Sequence, residues 1–562
     1  MTLSRMNWIV AGLLVLLPSM AQAAPKWDFL ITHARIVDGT GSPWFRGSVA
    51  LAGGRIAWIG TSIPSASEAR TVIDAKDLVL APGFVDLMAH DTLTYVTDPG
   101  SAASKLTQGI TLHLSGEGSS PAPQSDLTQP KPVMIKGKPY KWRTYAEYFK
   151  ILESYGIAVN VVHDVGAAQV RQAVMGVEDR RPTPAEMTKM KQLVSQAMKD
   201  GAVGLSTALI YPPGNYQTTA ELIELAKAVA PYGGIYASHM RNESDHVLEA
   251  IDEAIAIGEG AHIPVEIYHL KAAGVRNWPL MEKSLAHIAA ARARGVDITA
   301  DIYPYLRNGI GLGSFVPPSN FAKGPQAFYQ QLKDPAVRAK LRHVVETDTT
   351  SWENWYDHVG RDWNNVLITG SQAGKDLVGL SIAQAAAKRG KDAWDFVFDT
   401  IAAGGVGVAP LSMNEDQKRE ALRSPFVMFD TDSNPVSPEV DGTAVHPRAY
   451  GTYPRVLAKY VREEKVLPLE DAIRRMTSAA CDRLAVFDRG RIGPGYWADL
   501  VLFDPAAIQD RATFDKPDQF STGMDYVWVN GVLEIENGKM TGARAGKVLR
   551  FNASGTTPGA AQ

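Results

Sequence analysis

Cysteine is almost absent from this chain of 562 residues, which contains one, Cys481. A single cysteine cannot form an internal disulfide, and it cannot build a cluster of thiolate ligands for zinc. Any metal that the chain binds must therefore be held by histidine and carboxylate side chains.

The chain also lacks a marked excess of charge. Its net charge is -3, with 45% hydrophobic and 21% charged residues. No basic surface is therefore expected for nucleic acid or for an anionic membrane. We predict that the partner is a small molecule.

Long apolar runs are missing except at the N-terminus. Arg5 precedes an apolar stretch from Trp8 to Leu17, and Ala21-Gln22-Ala23 follows as a small-residue cleavage site. This pattern is typical of a signal peptide, and the stretch is shorter than the ~20 residues that span a bilayer. We predict a signal peptide over 1–23, cleavage near Ala23, a periplasmic or secreted product, and no membrane association after cleavage.

The remainder of the chain predicts two domains. Short apolar runs separated by Asp-Gly and Gly-Gly turns occupy residues 24–82, and a similar pattern of short apolar runs recurs in residues 488–562. Such runs are typical of β-hairpins, so we predict one small β-sandwich built from both chain ends.

Residues 83–487 alternate apolar strands with amphipathic helices. The predicted strands lie near residues 84, 111, 158, 203, 235, 264, 297 and 427, and a helix is predicted from about 243 to 257. Spacings of about thirty residues match a βα unit, so the prediction is an α/β fold, a (β/α)8 TIM-type barrel. The long interval after Tyr305 predicts an insertion over the barrel mouth, around 315–363.

Polar residues follow the predicted strands at their C-terminal ends, where the reactive groups of such barrels converge. They are His90, Glu117, His163, His239, His269 and Asp432. For His163 alone we favour a structural, hydrogen-bonded histidine, whereas His239 and His269 together favour a metal site.

Zinc bound by imidazoles and a carboxylate, with one position open, is the usual arrangement for hydrolysis at neutral pH. Asp432 is the best-placed carboxylate to move the proton of the attacking water. The alternative for Asp432 is a turn carboxylate.

Several ordered motifs resemble the N-acyl-D-amino-acid deacylase (D-aminoacylase) family of the amidohydrolase superfamily, over nearly all of the mature length. They are Ala81-Pro82-Gly83-Phe84-Val85-Asp86, Gly204-Leu205-Ser206-Thr207, Tyr236-Ala237-Ser238-His239-Met240-Arg241, His269-Leu270-Lys271-Ala272-Ala273-Gly274, Asp301-Ile302-Tyr303-Pro304-Tyr305, His446-Pro447-Arg448 and Gly493-Pro494-Gly495-Tyr496-Trp497-Ala498-Asp499-Leu500. The resemblance implies a metal-dependent hydrolase that converts an N-acyl-D-amino acid to a carboxylic acid and a D-amino acid.

The resemblance also implies roles for individual residues. A tightly held zinc would be bound by His239, His269 and a cysteine after the second strand. A weaker second site would use a His-x-His pair and Asp432, the implied catalytic acid/base. The substrate carboxylate would contact residues matching Lys271, Tyr303 and Arg448, and two cations with a phenol suit a carboxylate.

Two positions depart from the family pattern. The His-x-His pair has become Met88-Ala89-His90, which weakens the second metal site. No cysteine follows the second strand, where Glu117 is the nearest group able to bind a cation. We therefore predict one zinc ion on Glu117, His239 and His269, with His90 as a ligand of a doubtful second site.

Two other functions remain open from the sequence. The same metal centre could act on a different amide, a dipeptide, a cyclic amide or a lactone, because fold does not fix the substrate. Alternatively, the chain could be a degenerate barrel that binds without cleaving.

Overall fold

The computed structural model describes residues 25–349, 351–438 and 446–551, so the predicted signal peptide lies outside the described residues. The described strands, in chain order, are β1 (Trp27–Ile36), β2 (Phe45–Ala52), β3 (Arg55–Gly60), β4 (Ala69–Asp74), β5 (Val79–Pro82), β6 (Phe84–Ala89), β7 (Ile110–Ser115), β8 (Val133–Ile135), β9 (Lys138–Tyr140), β10 (Asn160–His163), β11 (Val165–Gly166), β12 (Gly204–Ala208), β13 (Ile235–His239), β14 (Val265–Ile267), β15 (Ile298–Ile302), β16 (Ile310–Gly311), β17 (Val366–Ile368), β18 (Gly407–Pro410), β19 (Val427–Phe429), β20 (Leu500–Phe503), β21 (Met524–Val529), β22 (Val532–Glu536) and β23 (Lys539–Met540).

Helices fill the intervals between these strands. The α-helices are α1 (Thr94–Thr97), α2 (Ala102–Leu106), α3 (Tyr145–Tyr155), α4 (Ala167–Met175), α5 (Pro184–Asp200), α6 (Thr219–Ala226), α7 (Val247–Ala261), α8 (Leu280–Ala293), α9 (Pro325–Gln331), α10 (Pro335–Thr347), α11 (Trp355–His358), α12 (Ile382–Lys388), α13 (Ala393–Ala402), α14 (Glu415–Arg423), α15 (Arg448–Arg455), α16 (Leu469–Met476) and α17 (Ser478–Arg483). A π-helical segment, Val456–Glu463, continues α15. Among the residues that the structure describes, no helix combines the length and apolar composition that a membrane span requires.

Both chain ends build one small sheet. Its order is β23-β22-β21-β20-β5-β1-β2-β3, with β4 beside β1, and the antiparallel pairing of β5 with β20 joins the two ends. The sheet folds over its own apolar core: the rings of Phe29 and Trp528 lie 6.1 Å apart, and the N–H of Ile56 donates to the carbonyl of Tyr496 at 2.9 Å. Strands from both ends of the chain thus form one small domain, in which a single continuous sheet stands where a β-sandwich was predicted.

The C-terminal tail leaves that sheet and packs against the barrel. The N–H of Val161 in β10 donates to the carbonyl of Lys547 at 2.9 Å, and the N–H of Phe551 donates to the carbonyl of Gly201 at 2.9 Å. The predicted 488–562 segment therefore serves both domains.

Eight parallel strands form the barrel, in the order β6, β7, β10, β12, β13, β14, β15 and β19. The N–H of Val203 donates to the carbonyl of His163 at 2.7 Å between the third and fourth strands. The N–H of Asp432 donates to the carbonyl of Met88 at 3.1 Å, which joins the eighth strand to the first. The predicted fold class is confirmed.

The outer helices begin and end where local chemistry dictates. In α5, Thr183 and Glu186 form the predicted capping box, and Gly201 ends the helix with a φ of 116°, a conformation that glycine adopts without strain. Met190, Val194 and Met198 share the buried face at helical spacing. A capping residue is worth about 1 kcal/mol, so the burial of this face is the larger contribution.

An inserted unit separates β15 from β19. It contains the antiparallel sheet β16-β18-β17, helices α9 to α13, and an apolar core of its own around Phe315, Trp355, Trp363 and Trp394. The unit is longer than the predicted 315–363, because β18 pairs with both β16 and β17 and lies far beyond that span. The aromatic residues that suggested an insertion mark only part of its core.

Candidate metal centre

Three predicted ligands meet at the C-terminal rim of the barrel. Oε1 of Glu117 lies 2.6 Å from Nδ1 of His239 and 3.2 Å from Nε2 of His269, and the two imidazole rings are 4.5 Å apart. His239 is the last residue of β13, His269 follows β14 by two residues, and Glu117 follows β7 by two. The order of the strands in the barrel thus brings these side chains together.

A second group shares Glu117. Its other oxygen, Oε2, lies 3.5 Å from Nδ1 of His90, whose Nε2 lies 3.2 Å from Oδ1 of Asp432. In both groups the candidate ligand atoms all lie within 4.8 Å of one another. Met88 is fully buried in β6 and packs in the barrel core, so the second group has no fourth protein ligand from that position.

Both carboxylates in these groups favour their charged form. Burial raises the pKa of Glu117, but hydrogen bonds from His239 and His269 outweigh it and hold the pKa well below its usual value. Burial likewise opposes the charge of Asp432, but Arg448, His269 and His90 lower its pKa to about 2. Two anionic carboxylates among imidazoles match a divalent cation.

The first group fits zinc. Ligand atoms at about 2.0–2.2 Å from a tetrahedral zinc ion are about 3.3–3.6 Å apart, so the observed separations of 2.6 and 3.2 Å need only a small opening. Two imidazoles and one carboxylate form a zinc donor set that leaves a fourth position free, and no thiolate is required.

Glu243 orients His269 from behind, and the sequence reasoning did not identify it. Oε1 of Glu243 lies 3.0 Å from Nδ1 of His269 and 2.6 Å from Nζ of Lys271. A metal at Nε2 of His269 requires the ring proton on Nδ1, where Glu243 can accept it. The predicted helix from 243 instead begins at Val247, which leaves Glu243 in the loop after β13.

Lys271 is fully buried and already has partners. Besides Glu243, its Nζ lies 2.7 Å from Nδ1 of His269. Burial and the charge of Lys271 oppose protonation of His269, but Glu243, Asp432 and Glu117 prevail and raise its pKa to about 9. In the metal-free protein both ring nitrogens therefore carry protons at neutral pH, so Nδ1 donates to Glu243 and does not accept from Lys271.

Arg448 and Tyr303 lie beside Asp432. Nη1 of Arg448 is 2.6 Å from Oδ2 of Asp432, and the guanidinium stacks over the Tyr303 ring at 4.7 Å. The Tyr303 hydroxyl is buried and has no hydrogen-bond partner among the described residues. A cation and a free phenol thus face the acid/base candidate.

His163 is hydrogen-bonded in the barrel interior, and Asp91 accepts local hydrogen bonds at the edge of the cavity that His90 lines. Nε2 of His163 is hydrogen-bonded to the Thr92 hydroxyl at 2.9 Å, and burial lowers the pKa of His163 to about 3. Asp91 accepts hydrogen bonds from the N–H of Leu93 and the hydroxyl of Thr94. His163 is therefore the buried, hydrogen-bonded histidine that the sequence favoured.

A cavity of about 470 Å³ opens above the metal ligands, with His90, Glu117 and Tyr211 in its lining. The Tyr211 ring lies 5.3 Å from that of His239. We call this the metal cavity. Its volume is in the range of small-molecule sites.

Comparisons with known proteins agree with this geometry. The amidohydrolase family profile matches residues 71–533. A D-aminoacylase and an N-acyl-D-glutamate deacylase, both from Alcaligenes xylosoxydans xylosoxydans, are each 33% identical to the chain, over 94% of it and 98% of their own length. The chain belongs to the N-acyl-D-amino-acid deacylase family of the amidohydrolase superfamily.

Solved deacylase structures extend this similarity. An N-acyl-D-glutamate deacylase from Bordetella bronchiseptica, complexed with zinc and a phosphonate inhibitor, is 32% identical, with a TM-score of 0.77 over 93% of this chain and all of that one. A D-aminoacylase with a binuclear metal centre, for which one-metal activation and second-metal attenuation are described, is 30% identical to this chain. Its TM-score is 0.77, over 93% of this chain and all of that one. Against the deacylase pattern, this member carries Glu117 where a cysteine is implied and Met88 where a histidine is implied.

Proposed function

We propose that the chain is a zinc-dependent hydrolase that cleaves the amide bond of N-acyl-D-amino acids to a carboxylic acid and a D-amino acid. The observation that carries the proposal is the group of Glu117, His239 and His269 at the barrel rim, with Asp432 beside it. The deacylases among its relatives give the bond and the stereochemistry.

Zinc held by these three residues would lower the pKa of water and polarise the scissile carbonyl. The residues of the chain then move the proton. Asp432 is ionised and accepts the proton of the attacking water, then delivers one to the leaving nitrogen. Arg448 holds Oδ2 of this carboxylate, which leaves Oδ1, the oxygen near His90, for the transfer.

We propose that the substrate carboxylate binds between Arg448 and Tyr303. The free hydroxyl of Tyr303 donates to it, and the guanidinium supplies charge. Lys271 donates to Glu243, and Nδ1 of His269 carries a proton in this arrangement and cannot accept from it, so the other donors of Lys271 remain for the substrate. The principal role of Lys271 in this arrangement is to neutralise Glu243.

The test combines zinc quantification with chiral assays. We expect about one zinc per chain, hydrolysis of N-acetyl-D-leucine, and little or no hydrolysis of the L-enantiomer. Zinc-loaded protein that cleaves neither enantiomer, or that prefers the L-form, would contradict the proposal. Protein that binds no zinc at all would favour the degenerate barrel.

We further propose that residues 1–23 direct export and are removed near Ala23. The support is the charged residue, apolar stretch and small-residue site of the sequence. Intact-mass analysis of protein from the periplasm or medium tests this proposal. A mature chain that retains Met1 would contradict it.

A further inference from the structure

A second cavity, of about 320 Å³, lies between the loop after β12 and the inserted unit. We call it the insertion cavity. Its lining is largely apolar and aromatic and includes Tyr211, Phe321, Trp352 and Trp355. Tyr211 also lines the metal cavity, so the two cavities adjoin at one side chain whose ring contacts His239.

Glu353 is the one charged residue in the described lining of the insertion cavity. Its Oε1 accepts a hydrogen bond from the N–H of Glu243 at 2.5 Å, whereas Oε2 is buried and has no partner among the described residues. Nε1 of Trp352, also in the lining, is buried without a described partner. Such atoms are costly to leave unpaired, so a bound group that pairs with them is expected.

The position of the cavity allows one substrate to occupy both cavities, because they adjoin at Tyr211. Tyr303, proposed to hold the α-carboxylate, directly follows β15, and the inserted unit begins a few residues later. The Cα of an N-acyl-amino acid carries the side chain beside that carboxylate, and the acyl group lies on the other side of the scissile amide. The side chain is therefore the part of the substrate that we assign to the cavity beside the inserted unit.

We infer that the insertion cavity receives the side chain of the D-amino acid and that Glu353 makes the enzyme select uncharged side chains over acidic ones. This inference rests on the proposed function. An acidic side chain would lose its hydration in an aromatic cavity and meet a carboxyl group, with no cation in the described lining to compensate. An amide side chain can donate to Glu353 and accept from Trp352.

Burial and the charge of Glu243 raise the pKa of Glu353 to about 8, and neither form of the group offers a positive charge. At pH 9 the carboxylate form of Glu353 predominates, so kcat/KM is compared at this pH. The two substrates are an isosteric pair, N-acetyl-D-glutamine and N-acetyl-D-glutamate. We expect kcat/KM to favour the glutamine compound at least about a hundredfold, because like charges brought together are strongly disfavoured.

The variant E353Q keeps a side-chain oxygen that can accept the hydrogen bond from the N–H of Glu243. This variant should raise kcat/KM for the glutamate compound, and so reduce the glutamine-to-glutamate ratio of kcat/KM at least about tenfold. The matched control is E346Q, which removes a partly exposed carboxylate of the same unit, paired with Arg342, and should leave the ratio unchanged. A wild-type ratio near one, or an E353Q ratio equal to that of wild type, would overturn the inference.

Two further experiments show which part of the substrate the insertion cavity binds, and they distinguish failure of the cavity assignment from failure of the proposed function. If E353Q changes the ratio of N-butanoyl- to N-succinyl-D-leucine instead, the cavity holds the acyl group and the assignment is wrong. Calorimetric binding of the glutamine and glutamate compounds to zinc-loaded D432N does not require turnover. Selective binding of the glutamine compound without wild-type turnover would support the cavity assignment and refute the proposed function.

Discussion

Replacing Asp432 by Asn should separate metal binding from proton transfer. The change keeps the shape of the side chain but removes a base whose pKa is lowered to about 2. Loss of a positioned general acid/base costs about 10²–10⁴ in rate, or about 3–5 kcal/mol of transition-state stabilisation. Zinc should remain at about one per chain, because Glu117, His239 and His269 are unchanged.

The same substitution should lower the stability of the metal-free protein. Asp432 is buried, and its removal leaves Arg448 without the carboxylate 2.6 Å away. Breaking a buried pair costs about 3–5 kcal/mol, and the amide oxygen together with the Tyr303 ring should offset part of that. Because the folded pKa lies below the usual 3.8, the stabilisation by the wild-type carboxylate is full above about pH 4 and is lost toward pH 2.

The assay pairs single-turnover kinetics and zinc quantification with urea unfolding at pH 7 and pH 3. D416N is the matched control, since it alters an exposed Asp–Arg pair, with Arg419 as the partner. The reasoning would be refuted if D432N, still loaded with zinc, kept more than a tenth of the wild-type rate.

Three further predictions concern the metal. E117C should bind cobalt with a sulfur-to-metal charge-transfer band and hold zinc more tightly than the wild type, since thiolate is the softer ligand. Absence of this band from the cobalt-loaded variant would exclude position 117 as a metal ligand. The apparent zinc affinity should fall about tenfold per pH unit below about pH 9, because His269 must lose its proton to bind the metal. Calorimetry in buffers of different ionisation enthalpy should detect the release of that proton on zinc binding. A zinc affinity that does not change with pH would contradict the prediction. H90A should keep one zinc and lose any weak second zinc, measured by equilibrium dialysis; an unchanged second site would exclude His90 from it.

The sequence was sufficient to predict the barrel and the first metal group. Each barrel strand is a short apolar run that ends at a polar residue, and the order of the strands fixes which polar residues meet at the rim. Strand order placed His239 and His269 side by side, and the family resemblance, with its implied cysteine ligand after the second strand, added Glu117 to the group.

Other site residues depend on contacts that no local pattern records. Glu243 was assigned to a helix that in fact begins four residues later. Glu353 contacts Glu243 across 110 residues of sequence, and its position depends on how the inserted unit packs against the barrel. No periodicity indicates that contact, and the aromatic residues near Glu353 suggested only an insertion.

Backbone conformation links the metal group to closure of the barrel. His269 and Asp432 have φ values of 36° and 42°, a left-handed conformation that costs a non-glycine residue about 1–2 kcal/mol. Neighbouring strands hold both residues there: the N–H of His269 donates to Oδ1 of Asp301 at 2.5 Å, and the N–H of Asp432 donates to the carbonyl of Met88. These backbone contacts therefore fix both residues with their side chains at the rim. Met88 has lost the imidazole implied by the resemblance, yet its carbonyl still anchors the residue that we propose transfers the proton.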